Sequence, residues 1–189
     1  MPPTYRTATS SVLVIGTGAA GLRAAIAATQ AGVQARVLGK RPRLDAHTVL
    51  ASGGINAALG TRDPEDSWEQ HFGDTLREGY FLGNPRMVEI MARESPDAVR
   101  ELAAWGCAFA QTEDGRLDQR FFGAHRWRRT CYAGDYTGRA ILLTVADNLP
   151  DAFLFMYLFQ AACKIQVRAQ TTGAQLITID PRIDRKSVV

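Results

Sequence analysis

Apolar residues fall in short runs broken by glycine and proline, and the spacing inside each run predicts its element. Val12-Leu13-Val14-Ile15 is continuously apolar and reads as a buried strand. After the glycine-rich stretch Gly16 to Gly21, Leu22-Arg23-Ala24-Ala25-Ile26-Ala27-Ala28 reads as an alanine-rich helix, with Gly32 placed to end it. Val33 to Leu38 reads as a second strand, parallel to the first. Trp68, Phe72 and Leu76 recur at i, i+4 and i+8 and form one apolar helix face, read as core. Asp63-Pro64 predicts the start of that helix, with Asp63 as N-cap, and Gly79 its end. Asn84-Pro85 starts another helix with Met87, Val88 and Met91 inward; Ser95-Pro96 restarts it, and Gly106 closes it after Trp105. Cys107 to Thr112 and Leu117 to Phe121 bracket Glu113-Asp114-Gly115-Arg116, a hairpin signal. Ile141, Leu142 and Val145 indicate a helix after them. The order strand, helix, strand, then helices and a hairpin, predicts an α/β fold: a parallel Rossmann-like sheet with an inserted helical and hairpin region.

Composition narrows the class. The chain has 189 residues, enough for one domain or a large part of one, and 46% hydrophobic residues support a packed core. A formal charge of +3 does not point to nucleic acid, and Arg126, Arg128 and Arg129 around Trp127 read as a surface loop. Cys107, Cys131 and Cys163 are odd in number and widely spaced, so they imply neither a disulfide framework nor a metal site, and a reducing compartment is the default. The ten residues before Ser11 carry no apolar signal core, and no window is apolar for the ~18 residues that a membrane span requires. Ala152 to Cys163 is apolar over only 12 residues and follows neither a strand nor a helix period.

The candidate chemistry begins at Gly16-Thr17-Gly18-Ala19-Ala20-Gly21, a G-x-G-x-x-G pattern between a strand and a helix. Gly16 permits the sharp turn, Gly18 lets backbone approach a pyrophosphate, and Gly21 lets the helix pack on the strand. The helix start at Ala19 and Ala20 then offers amides and a positive dipole end to phosphates. A nicotinamide site usually shows an acid about 20 residues onward. Here the chain reads Gly39-Lys40-Arg41, with Asp45 the nearest acid, so Lys40 suits a flavin nucleotide or a phosphate better. The stretch His47-Thr48-Val49-Leu50-Ala51-Ser52-Gly53-Gly54-Ile55 is rich in small residues, and its paired glycines let backbone lie flat against a planar ligand. From the residues alone, His47 reads as a structural imidazole more readily than as a functional one.

Ala46-His47-Thr48 through Gly53-Gly54-Ile55 resembles the flavin-proximal segment of the succinate dehydrogenase and fumarate reductase flavoproteins, which has Ser-His-Thr and then Gln-Gly-Gly-Ile. Ala46 and Ser52 depart from that pattern. Further on, Thr112-Glu113-Asp114-Gly115, Gln119-Arg120-Phe121-Phe122-Gly123 and Arg129-Thr130-Cys131-Tyr132-Ala133-Gly134-Asp135 with Thr137-Gly138 resemble the same family, with Phe121 where proline is usual. The resemblance covers Ser11 to Val145. It implies a Rossmann-like FAD-binding domain with Gly16, Gly18, Ala19, Ala20, Gly21, Lys40, His47, Thr48, Ala51, Gly53 and Gly54 at the cofactor. It implies covalent FAD through His47, a dicarboxylate pocket lined by Phe122, and a packing role for Cys131. The implied activity is succinate to fumarate, with electrons passed to a partner iron–sulfur subunit, then to quinone. Membrane anchor subunits would hold the protein peripherally on the inner, cytoplasmic face of the cell membrane. In the family the proton-transfer arginine lies later in the chain, so no catalytic residue is expected here, and this chain alone is expected to be inactive. The alternatives are L-aspartate oxidase, which lacks the histidine, and a non-catalytic nucleotide-binding fragment. Residues 1–148 are thus expected to be the N-terminal part of the FAD domain. Residues 149–189, ending in Asp184-Arg185-Lys186-Ser187-Val188-Val189, read as an out-of-frame or artefactual tail.

Overall fold

The computed structural model describes residues 9–40, 45–123 and 125–148. The expectations for Cys163, for Ala152 to Cys163 and for the tail lie outside these residues. Two compact units divide the described chain, the second being residues 47–148.

The first unit is a strand–helix–strand unit: β1 (Val12–Ile15), α1 (Ala19–Gln30) and β2 (Ala35–Leu38). The strands pair in parallel, with Val12 opposite Ala35 and Ile15 opposite Leu38. Helix α1 buries Leu22, Ala25 and Ile26, and β2 buries Ala35 and Val37. The expectation of a buried β1 fails. Leu13 is 52% and Ile15 78% exposed. Side chains alternate across a strand, so the face bearing Val14, which abuts Gly21 of α1, is the covered one. Leu13 and Ile15 share the opposite face.

The second unit contains a 3₁₀ turn (His47–Leu50), β3 (Ile55–Asn56), α2 (Trp68–Glu78), α3 (Pro85–Ala104), β4 (Thr130–Cys131) and α4 (Thr137–Asp147). β3 and β4 pair antiparallel, α2 packs on α3, and α4 packs on the 3₁₀ turn. Three expectations change. Ser67, not Asp63, caps α2, its hydroxyl accepting from Gln70 N at 3.3 Å. Asp63 instead accepts from the Arg128 backbone N–H at 2.7 Å and from its guanidinium, an ion pair whose full positive charge a helix N-terminus does not offer. Helix α3 does not restart at Pro96. Proline has no N–H for the Ala92 carbonyl, and the Ser95 hydroxyl donates to that oxygen at 3.1 Å. Met87 and Met91 are exposed, because the buried stripe of α3 runs through Ala92, Ser95, Val99 and Leu102. The hairpin forms with a single bridge, Gln111 to Leu117, closed by Gly115 at φ +80. Asn84 caps α3 as expected, accepting from Arg86 and Met87 N–H groups.

Candidate functional site

In the first unit, the glycine turn is built as its residue types require. Gly16 has φ +124, and its N–H donates to Leu38 O at 2.7 Å, tying the turn to β2. A Cβ on Gly21 would lie 2.1 Å from Gly16 O, so only glycine permits this approach of α1 to the turn. Gly18 has ordinary extended backbone, φ −73 and ψ 174, so its glycine is not needed for conformation. Helix α1 starts at Ala19 and Ala20 without a side-chain cap. Lys40 is exposed just beyond β2.

In the second unit, the His47 segment is held between two elements. On one side stands the start of α4. Gly138 N donates to Ala51 O at 2.7 Å, and a Cβ there would lie 1.9 Å from Thr48 O. On the other side, the Phe122 ring occupies the space of a Gly53 Cβ, 2.3 Å from that position, and Arg120 Nη2 donates to Gly53 O at 2.9 Å. Gly54 has φ +133 and would drive a Cβ into Thr130 and Cys131 of β4. Packing on β4 therefore accounts for Gly54 without a ligand. His47 itself is exposed at the head of the 3₁₀ turn.

Behind β3 and β4 lies a buried charged cluster that the sequence pattern does not announce. Arg129 reads from its neighbours as part of a surface loop, yet its side chain is 0% exposed. It makes a two-pronged pair with Asp66, at 2.7 and 3.1 Å, and lies 3.0 Å from Asp74. Two carboxylates are what draws the guanidinium inward. His71 and His125 meet edge to face, centroids 5.8 Å apart, and the His125 Nε2 lies 2.6 Å from Asn56 Nδ2. Asn56 also accepts from the Thr130 hydroxyl. Burial first, then the Arg129 charge and His125, pushes His71 down to about 4. Burial lowers His125 as well and raises Asp66.

That arrangement makes stability depend on pH. Below an ordinary histidine pKa of about 6.5 the unfolded chain binds a proton that folded His71 refuses. Stability therefore falls as pH drops from about 6.5 toward 4, by roughly 3 kcal/mol for this residue. Urea midpoints across that window are expected to decline for the native sequence and to decline less for His71→Gln. Equal slopes would show that His71 is not held neutral.

Cys107 and Cys131 are buried and free, and burial pushes Cys131 up to about 12, so it packs rather than reacts. A cavity of about 560 Å³ between the end of α3 and α4, bordered by Trp105, Tyr136, Arg139 and Leu143, contains none of the residues predicted for the site. Among the described residues no cluster suits a metal ion, and no helix is long and apolar enough to cross a membrane. The sequence carries one further signal of the clasp. Thr137-Gly138 places a glycine in the first turn of a helix, where close backbone approach is its usual reason.

The first unit is thus a strand, a glycine turn and a helix of the kind found in nucleotide-binding domains, and the second holds a small-residue segment between a glycine and an aromatic ring. The chain belongs to the FAD binding domain family, whose profile matches residues 11–179. That match runs past residue 148 into the undescribed stretch. Among curated relatives, a fumarate reductase (CoM/CoB) subunit of Methanothermobacter marburgensis is 42% identical over 139 residues, covering 73% of this chain and 25% of that protein. The succinate dehydrogenase flavoprotein subunit of Rickettsia bellii is 40% identical over 142 residues, covering 71% of this chain and 24% of its own length. Among solved structures, the Mycobacterium smegmatis Sdh1 complex is 47% identical with a TM-score of 0.70, covering 72% of this chain and 23% of that one. An E. coli quinol fumarate reductase chain is 35% identical with a TM-score of 0.68, covering 73% and 23%. This chain thus spans about a quarter of the length of these relatives.

Proposed function

We propose that this chain is part of the FAD-bearing subunit of a dicarboxylate oxidoreductase of the succinate dehydrogenase and fumarate reductase type. The observation that carries the reading is the clasp on Ala51 to Gly54, where α4 and Phe122 hold a side-chain-poor backbone beside exposed His47. The 40–47% identity to succinate dehydrogenase flavoproteins supports the same reading. The residues fit FAD. In a Rossmann-like turn, Gly16, Gly18, Ala19, Ala20 and Gly21 would hold the pyrophosphate, because Gly16 turns at φ +124 and Gly21 brings the start of α1 close against that turn. Lys40 would add charge to that anion. Thr48, Ala51, Gly53 and Gly54 would offer backbone to the flavin, and Phe122 would line the dicarboxylate side. When bound, FAD supplies the hydride acceptor, and the protein's task is to orient substrate and exclude water. Electrons would pass to an iron–sulfur subunit, then to quinone, with membrane anchor subunits placing the assembly on the inner face of the membrane.

His47 is proposed as the point of flavin attachment. An exposed imidazole at the head of a turn fixed by α4 can reach a ligand held beside it, and neutral imidazole is a competent nucleophile. Acid precipitation of the full-length protein is expected to leave the yellow colour in the pellet, with the flavin mass on the His47 peptide. His47→Ser is expected to hold FAD only non-covalently. Colour in the native supernatant would remove the attachment and favour L-aspartate oxidase, where the resemblance implies non-covalent FAD.

A further inference from the structure

Gly53 is gripped twice by one arm of the hairpin. Residues 120 and 122 are two apart in the chain, and both side chains meet Gly53. Phe122 lays its ring over the Gly53 Cα, and Arg120 Nη2 donates to the Gly53 carbonyl at 2.9 Å. The same nitrogen reaches Gly134 O at 3.3 Å, in the turn that leads to α4. The arm is fixed in turn, since Arg120 N and O pair with Thr130 at 3.0 and 3.2 Å. The guanidinium lies over the Tyr132 ring at 4.3 Å, a cation–π contact that fixes its plane, and the Tyr132 hydroxyl is anchored on Asp118 at 2.9 Å. No carboxylate pairs with Arg120 among the described residues, and its buried Nε donates to nothing. A charged side chain spent on two backbone carbonyls, without a neutralising partner, is costly if packing is its only purpose.

We propose that Arg120 is a positioning residue for the flavin-facing turn, acting through Gly53. It ties Gly53 to the Gly134 turn, and so keeps the backbone under the flavin and the Phe122 ring in one fixed relation. This inference rests on the FAD reading above. Arginine suits the task because the two protons of Nη2 serve two carbonyls while the guanidinium plane stacks on Tyr132. Lysine keeps a donor for Gly53 but loses the planar group that stacks on Tyr132.

The test uses the full-length protein, with kcat expressed per bound FAD. Native protein that carries no FAD would remove the FAD reading itself, separately from this proposal. With native protein loaded, Arg120→Met is expected to retain FAD within about twofold. Its kcat per flavin is expected to fall by about tenfold or more, since displacement by about 1 Å can cost up to a hundredfold. KM for the dicarboxylate is expected to change less than kcat, and the visible circular dichroism of the flavin to change shape. Arg120→Lys is expected to fall between the two. A purely structural role would instead lower the melting temperature and FAD content with kcat per flavin intact, and that result overturns the proposal. If Arg120→Met does not load FAD, Arg120→Lys decides: a reduced kcat per flavin supports the proposal and a native one overturns it. Failure of both variants to fold also overturns it, because Arg120 would then serve the fold alone.

Discussion

Alanine at position 21 is expected to leave the full-length protein without FAD. The added Cβ would stand 2.1 Å from Gly16 O and 3.0 Å from Gly16 C, and both are backbone atoms that cannot swing aside. Helix α1 must then move off β1, or the turn must open. Overpacking of this kind costs about 1–3 kcal/mol of stability. The larger effect falls on the ligand, because either shift carries the first amides of α1 away from the pyrophosphate. A loss of more than about 3 kcal/mol in binding is over a hundredfold in affinity. Gly18→Val separates the two effects. Its backbone, at φ −73 and ψ 174, accepts any residue, so the fold should survive while a side chain fills the pyrophosphate's place. Flavin absorbance per protein and the urea midpoint read both variants. Folded Gly21→Ala or Gly18→Val with normal flavin content would show that the phosphates lie elsewhere.

The glycine turn of the first unit and the His47 segment of the second are legible in the sequence to different degrees. The glycine turn is readable because its constraints are local: a turn at Gly16 and close packing at Gly21 depend on residues within one strand–turn–helix. The caps at Asn84 and Gly79 and the Gly115 turn are readable for the same reason. Asp63 misleads because its sequence neighbours suggest a cap, whereas Arg128, 65 residues away, takes its carboxylate. Arg129 misleads likewise: a basic tripeptide beside Trp127 looks solvated until Asp66 and Asp74 are brought to it. Met87 and Met91 show the limit of apolar spacing. Helix α3 buries the small residues Ala92 and Ser95, and hydrophobicity alone does not mark that side as the covered one. Gly54 reads as a ligand glycine in sequence, yet its positive φ and the proximity of Cys131 give it a packing reason as well.

Arg129→Met is expected to be the most destabilising change in the second unit. Arg129 joins the segment before β4 to Asp66, just ahead of α2, and to Asp74 within α2. Removing it leaves Asp66, 1% exposed, and Asp74, 13% exposed, as neighbouring carboxylates without a counter-charge. Breaking one side of such a buried pair costs about 3–5 kcal/mol. The carboxylates can escape by taking up a proton, which lifts the folded pKa of Asp66, already raised by burial, further above that of the unfolded chain. A raised acid pKa gives stability that is present at low pH and lost as pH rises through the folded value. The variant is therefore expected to weaken between about pH 4 and 7, whereas His71 makes the native protein strengthen over much of that window. Asp66→Asn in the Arg129→Met background removes one stranded charge and should recover part of the loss. The effect reaches the candidate site because Thr130, next in the chain, holds Asn56 of β3, two residues past Gly54. Urea unfolding of the four proteins of this cycle, at pH 5 and pH 7, measures both magnitude and sign. A native-like midpoint for Arg129→Met at pH 7 would mean that apolar packing, rather than the charged cluster, holds α2 to the strands.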